Sequence, residues 1–180
     1  MSWPKPKFSK SKVNRAGEIL ALDGESHQEA GWAHKVLINW RACHGYPINT
    51  FQATLRNRLK SIDKKAIVAQ RLKRTPSIVS KLRRFSAMKL SRMHDIGGLR
   101  AVVGTLHQVR TLEALYNNGR LRHELHKVYD YIKEPKSDGY RSVHLVFKYK
   151  NDRAHEYKGL LVELQLRTKI QHAWATAVET

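Results

Sequence analysis

Asp95 is the sole acid between Asp63 and Glu113, in a stretch otherwise dense with lysine and arginine. An isolated carboxylate in such a place is either a salt-bridge partner, the commoner role, or a hard oxygen ligand that would hold Mg²⁺ opposite phosphates. Gly97 and Gly98 follow it and permit a sharp entry into a strand and close approach of a ligand to the backbone. Arg100 leaves that strand where it could stack on a base. A second acid stands in LLVELQLRT, residues 160–168, where alternation sends Glu163, Gln165 and Arg167 to one face and Leu164 and Leu166 to the other. Glu163 could complete a metal site with Asp95 or act as general base toward a hydroxyl. The plainer alternative is a solvent-facing strand edge.

Two further constellations complement these acids. In RLKRTPSIVSKLRR, residues 71–84, Arg71 and Lys73 share a strand face, and Ser77, Lys81 and Arg84 fall at i, i+4 and i+7 on the helix that follows. Cations, a hydroxyl and a helix N-terminus in one stripe suit a triphosphate, with side chains doing the work of a glycine-rich phosphate loop, which is absent here. An RNA-binding surface or a solvated charged face would look similar. In KEPKSDGYRSVH, residues 133–144, Pro135, Ser137, Asp138 and Gly139 mark a loop. Tyr140, which follows it, could stack on a nucleobase, and His144 lies close by in sequence. Otherwise Tyr140 packs on a sheet and His144 is a satisfied polar residue.

Helical spacing of apolar residues predicts helices near 11–22, 28–44 and 50–62, the last capped by Asn49 or Thr50. AIVAQRLK alternates as a short strand, and Thr75 and Pro76 stand at N-cap and first-turn positions of a helix over SIVSKLRRF. LRAVVG reads as a buried strand broken at Gly104, followed by an amphipathic helix over TLHQVRTLEALYNN that ends at Gly119. KVYDYI, SVHLVFKYK and LLVELQLR carry the β-branched and aromatic content of strands, and RTKIQHAWATAVET returns to helical spacing. The order α-α-α-β-α-β-α-β-β-β-α predicts an α+β fold: a mixed sheet of about five strands flanked by helices, behind an N-terminal helical segment.

At 180 residues, 1–180 reads as a single domain, large enough to bury about 70% of its unfolded surface. Helical spacing still persists at Thr180, so a further segment is expected to follow. No apolar run approaches the roughly 18 residues of a membrane span, and the basic N-terminus lacks the apolar core of a secretory signal. A cytoplasmic protein is expected. The lone Cys43 reads as a core residue. The formal net charge of +19 calls for a polyanionic partner, and residues 51–100 hold 14 basic against 2 acidic residues.

Four motifs in this order resemble the RelA/SpoT-type alarmone synthetases: R-L-K-R-T-P-S-I-V-S-K, H-D-I-G-G-L-R, P-K-S-D-G-Y-R-S-V-H and E-L-Q-L-R-T, spanning residues 71–168. The resemblance implies a nucleotidyltransferase-like fold and transfer of pyrophosphate from ATP to a ribose 3′ hydroxyl. It would place ATP phosphates on Arg71, Lys73, Ser77, Lys81 and Arg84, with adenine between Arg71 and Arg100. It assigns Mg²⁺ to Asp95 and Glu163, with Glu163 also activating the hydroxyl, and puts the acceptor base on Tyr140 near His144 and Gln165. No sign of the family's hydrolase domain is present, so the chain resembles a small, synthetase-only member.

The acceptor is read from two features. His172 stands where some guanosine-tetraphosphate makers carry an asparagine that contacts guanine, and KIQHAWATAVET is more similar to the toxic members, including the fused toxin-antitoxin (CapRel-like) branch that pyrophosphorylates the 3′ CCA end of tRNA. Arg56, Arg58, Lys60, Lys64, Lys65, Arg74, Arg83 and Lys89 exceed what a mononucleotide needs and are expected to form a tRNA surface. The expectation is therefore a toxin that modifies tRNA and inhibits translation, controlled by a cis or trans antitoxin and linked by resemblance to phage defence. GDP or GTP is the alternative acceptor, and a catalytically dead RNA-binding module is a third.

Overall fold

Three helices open the computed structural model, which describes residues 2–22, 27–118 and 121–178. α1 spans Lys10–Ala21 and is capped by Ser9, whose side chain accepts from the Lys12 amide. Val13, Ala16, Gly17 and Leu20 repeat at i, i+3, i+4 and i+7 and give it its buried face. α2 (His27–Cys43) and α3 (Gly45–Ile62) are separated by His44 alone, which keeps helical backbone angles. α3 thus starts before the expected Asn49 or Thr50 cap. Pro47 sits in its first turn, where a missing N–H costs nothing, and the Thr50 hydroxyl donates back to the Tyr46 carbonyl at 3.1 Å inside the helix.

The remaining elements follow in the expected order: β1 (Ile67–Leu72), α4 (Thr75–Arg84), β2 (Gly97–Val103), α5 (Leu106–Asn118), β3 (Glu124–Asp130), β4 (Val143–Lys148), β5 (Leu161–Thr168) and α6 (Lys169–Val178). Short 3₁₀ turns occupy Leu90–Arg92 and His155–Tyr157. Arg74, with extended backbone, takes the cap position of α4, so Thr75 and Pro76 are its first helical residues rather than cap and first turn. β3 begins before Lys127, because a register shift between Leu125 and Lys127 interrupts the alternation that marked the strand. α5 runs to Asn118; Gly119, its expected terminator, and Thr180 lie outside the described residues.

The sheet order is β1-β2-β5-β4-β3, with β2 and β5 parallel and every other pair antiparallel. The last strand is therefore inserted in the middle. Register divides the sheet into two faces. Leu99, Ala101 and Val103 of β2, Val162, Leu164 and Leu166 of β5, and Val143, Leu145 and Phe147 of β4 join the core with α3 and α5. Gly97 belongs to that face: a Cβ there would lie 3.0 Å from both His44 Cβ and Ile48 Cδ1, so its glycine serves helix packing. Gly98 points the other way, toward the polar face carrying Arg71, Arg100, Glu163, Gln165, Arg167 and His144. Among the described residues no helix is long and apolar enough to cross a membrane.

His44 makes stability depend on pH. Its ring is buried, Nδ1–H donates to the Trp40 carbonyl at 2.8 Å, and burial pushes its pKa down to about 4 against the partial support of that hydrogen bond. The unfolded chain therefore binds a proton between about pH 6.5 and 4 that the folded chain refuses. Stability is complete above that window and falls as pH drops through it, by at most about 3 kcal/mol from this group. Burial shifts His94 and His123 the same way. Melting temperatures from pH 7.5 to 4.5 should fall by several degrees, and less in His44→Gln, which keeps a donor for Trp40. Parallel curves would remove His44 from the account.

Candidate active site

Alternation along β5 puts Glu163, Gln165 and Arg167 on the polar face, and register sets His144 of β4 and Arg100 of β2 beside Gln165. Gln165 donates through Nε2 to Glu163 Oε2 at 2.8 Å. His144 Nδ1 meets Glu163 Oε1 at 2.9 Å, and its Nε2 meets the Tyr140 hydroxyl at 2.7 Å. Arg167 Nη2 donates to that hydroxyl and, at 3.1 Å, to Gln165 Oε1, which also accepts from Arg100 Nε at 3.3 Å. One tautomer serves the chain: the Arg167 donation turns the Tyr140 proton toward His144 Nε2, leaving Nδ1–H to donate to Glu163. Glu163 is 7% exposed and Arg167 1%. β5 is thus an interior strand, and the solvent-facing edge considered for Glu163 is excluded.

Burial pushes the Glu163 carboxyl upward, but the hydrogen bonds from His144 and Gln165 outweigh it and hold it below the ordinary range. Asp95 behaves alike: burial raises it, and Lys81 and Lys73 more than reverse that. Lys81 Nζ lies 2.9 Å from Asp95 Oδ1 and Lys73 Nζ 3.1 Å from Oδ2. Both acids are therefore ionised at neutral pH. Lys73 is fixed from two sides, its amide donating to the Ile96 carbonyl at 2.8 Å and its carbonyl accepting from Arg41 Nε of α2 at 2.6 Å.

Two cavities meet over these groups. One, of about 740 Å³, is lined by Lys73, Pro76, Ser77, Lys81 and Arg84 along the start and one flank of α4. The other, of about 730 Å³, holds Arg71, Asp95, Tyr140, His144, Glu163 and Gln165. Lys81, Phe85 and Lys136 belong to both, so the space is continuous from the lysine stripe to the carboxylates. Arg71 and Arg100 line a small recess with Asp95, Glu163 and Gln165. Among the described residues no three His, Cys, Asp or Glu side chains form a metal cluster. The donor set still fits Mg²⁺, which takes one or two carboxylates and completes its shell with water and substrate phosphates.

The structure thus brings together every residue expected at the ATP and catalytic sites. Of the expected acceptor residues, Tyr140, His144 and Gln165 line the main cavity. Tyr140 is borne by the loop before β4, as expected, but is 7% exposed, its hydroxyl is engaged, and Lys136 Nζ and the Arg167 guanidinium each lie 4.8 Å from its ring centre. His172, half-buried on α6, does not line the cleft. The eight surplus cations are spread over α3, the turn after it, α4 with its cap, and the residue before the Leu90–Arg92 turn. Arg58 turns inward, donating to the Leu115 carbonyl at 2.9 Å over the Tyr116 ring, and Lys89 pairs with Glu18. Arg74 and Arg83 belong to α4 and its cap, while Arg56, Lys60 and Lys64 line a groove beside β1; Lys65 follows them in the turn.

Several cleft residues escaped the sequence reading. Tyr129 and Tyr131 stack at 5.8 Å with planes 5° apart and line the main cavity, as do His94 and Lys136. The i, i+2 spacing of the two tyrosines was the available signal. Arg167, which alternation places on the face of Glu163, takes its part in the site through the Tyr140 hydroxyl and Gln165.

Residues 70–180 match the family model described as a region found in RelA/SpoT proteins. Two Bacillus subtilis (strain 168) relatives are the GTP pyrophosphokinase YjbM, 35% identical over 111 residues that make up 61% of this chain and 52% of the relative, and the GTP pyrophosphokinase YwaC, 31% identical over 112 residues, 59% and 52%. The chain spans about half the length of these relatives. Among solved structures, small alarmone synthetase 1 of Bacillus subtilis bound to its product pppGpp shares the fold with a TM-score of 0.67 and 28% identity, over 76% of this chain and 74% of that one. A match that starts within β1, runs through α6 and contains both carboxylates establishes that the chain belongs to the RelA/SpoT family.

Proposed function

We propose that this protein transfers pyrophosphate from ATP to the 3′ hydroxyl of GDP or GTP. The observation that carries the reading is a buried, ionised Glu163 in a cleft that runs without interruption into the cavity lined by Lys73, Lys81 and Arg84. The acceptor oxygen attacks the β phosphorus of ATP, the bond from that phosphorus to the α-phosphate oxygen breaks, and AMP leaves. Glu163 takes the proton of the attacking hydroxyl, held in place by His144 and Gln165. Lys73, Lys81, Arg84 and Arg71 orient the triphosphate and offset its charge, which is most of what such a transfer asks of a protein. Asp95 and Glu163 would hold Mg²⁺, which when bound would supply Lewis-acid stabilisation of the transferring group.

GDP and GTP are favoured over tRNA because the two curated relatives are GTP pyrophosphokinases and a structural relative holds pppGpp. In the structure, the basic groove at Arg56, Lys60 and Lys64 is a feature on the side of tRNA. Incubation with β- and γ-labelled ATP and competing GDP, GTP and deacylated tRNA decides the acceptor. Label is expected on the guanosine nucleotides. Label on tRNA instead, lost on charge reversal at Arg56 and Lys60, would establish the toxin reading in its place.

A further inference from the structure

β1 (Ile67–Leu72) ends the sheet, so one side of its backbone has no strand partner among the described residues. The strand is regular: its residues pair with β2 in unbroken register, from Ile67 opposite Val102 to Leu72 opposite Gly97. The other edge of the sheet, β3, is interrupted by the shift between Leu125 and Lys127, one of the devices that keep an edge from pairing further. β1 has no such break. Only Val68 and Leu72 along it are half-buried, and Ile67 leaves 54% of its surface in solvent. A regular, open edge with an apolar side chain on show pairs readily with another chain.

A groove of about 290 Å³ lies beside that edge, between α3 and β1. Register with β2 turns Val68, Gln70 and Leu72 toward the α3 face of the sheet and Ile67, Ala69 and Arg71 toward the polar face. Leu59, Ala66 and Val68 give the groove an apolar floor, and Arg56, Lys60 and Lys64, all exposed, give it its charge. None of these three cations has a carboxylate partner among the described residues. Asp63, the acid in the lining, is engaged: its Oδ1 accepts from the Lys65 amide and its Oδ2 from the Gly104 amide, both at 2.9 Å. A strand added to β1 alternates its side chains between the two faces of the sheet. Every second one lies over the groove, among the three cations, and the others lie beside Ile67 and Ala69. The groove thus selects carboxylates at alternate positions, and Ile67 selects apolar residues between them.

We propose that the free edge of β1 docks an extended acidic segment of a partner protein, which continues the sheet and sets carboxylates at alternate positions against Arg56, Lys60 and Lys64. Backbone hydrogen bonds supply the affinity of such an addition, and the alternating side chains supply its specificity. A second copy of this chain does not fit, because β1 against β1 brings two such basic grooves together in a protein of net charge +19. A polynucleotide fits half of the site. Its phosphates match the cations, but acceptors alone cannot pair with the carbonyls of the edge. Arg71, on the exposed face of β1, also lines the main cavity, so the partner strand reaches the rim of the cleft.

Fluorescence anisotropy with a labelled peptide of alternating glutamate and valine tests it. The wild type should bind this peptide saturably, and about tenfold or more weakly when lysine replaces glutamate; Arg56→Glu/Lys60→Glu should lose about tenfold or more for the glutamate peptide. N-methylation separates a paired strand from a counter-ion, since only alternate residues of an added strand turn their N–H groups toward β1. Methylating one alternate set should abolish binding, and methylating the other should leave it within about threefold. The outward amides among residues 67–72 should exchange more slowly in the complex. Should the double variant misfold by circular dichroism, the two methylated peptides on the wild type decide alone. No saturable binding up to about 1 mM, or equal effects of the two methylations, overturns the proposal. If the peptide leaves β1 exchange unchanged and a single-stranded RNA oligonucleotide displaces it, the groove is a polynucleotide site and the proposal falls.

Discussion

Glu163→Gln should lower pyrophosphate transfer by at least about a thousandfold while ATP affinity changes by less than about threefold. The carboxylate accepts from His144 on one oxygen and from Gln165 on the other. An amide has one acceptor oxygen and turns an N–H₂ toward one of those donors, so the substitution removes the base and also unsettles the His144–Tyr140–Arg167 chain behind it. The triphosphate is held elsewhere, on Lys73, Ser77, Lys81 and Arg84. Single-turnover rates together with calorimetric ATP binding separate the two effects. Transfer within tenfold of the wild type would remove Glu163 from the chemistry, and a parallel loss of ATP binding would make it a ligand of the donor site only.

Asp95→Asn should split two properties that usually fall together. In this structure the Asp95 carboxylate is shared by Lys73 and Lys81, the same cations offered to the triphosphate. Neutralising it releases both ammonium groups and removes a negative charge from beside the phosphates, so ATP binding in EDTA should tighten by roughly three- to tenfold. Transfer in Mg²⁺ should nevertheless drop by about a hundredfold or more, because an amide is a poor substitute for a hard anionic ligand. Magnesium titrations of activity beside calorimetry in EDTA give the two numbers. If transfer survives within a few-fold, Asp95 is a structural salt-bridge partner, the plainer role its isolation allowed from the start.

The chemistry of the site was legible wherever local geometry forces it. Side-chain period two in a strand puts Glu163, Gln165 and Arg167 on one face whatever surrounds them, and helical spacing does the same for Ser77, Lys81 and Arg84. The sequence of elements was legible for the same reason, since period and turn residues are local signals. Asp95 stood out by charge counting alone, and its partnership with Lys73 and Lys81 confirms that its surroundings are cationic. What local signals could not give is strand order. That β5 enters between β2 and β4 depends on long-range pairing, and it is this insertion that buries Glu163 and sets His144 and Arg100 on either side of Gln165.

The surroundings of the acceptor residues were not legible for the same physical reason. Whether Tyr140 stacks on a base or lies beneath Lys136 depends on how its loop folds back on the sheet and on Trp174 of α6, whose Nε1 donates to the Asp138 carbonyl at 3.3 Å. Whether eight cations make one surface depends on which way α3 and α4 are rotated against the core, as Arg58 over Tyr116 illustrates. The sequence by itself determined the two acids, the cationic stripe and the face each would share, because backbone periodicity is a short-range property. Only the tertiary structure decided that the acids meet in one cleft, that Lys73 and Lys81 close on Asp95, and that β1 is left at the edge of the sheet, because those depend on contacts between residues tens of positions apart.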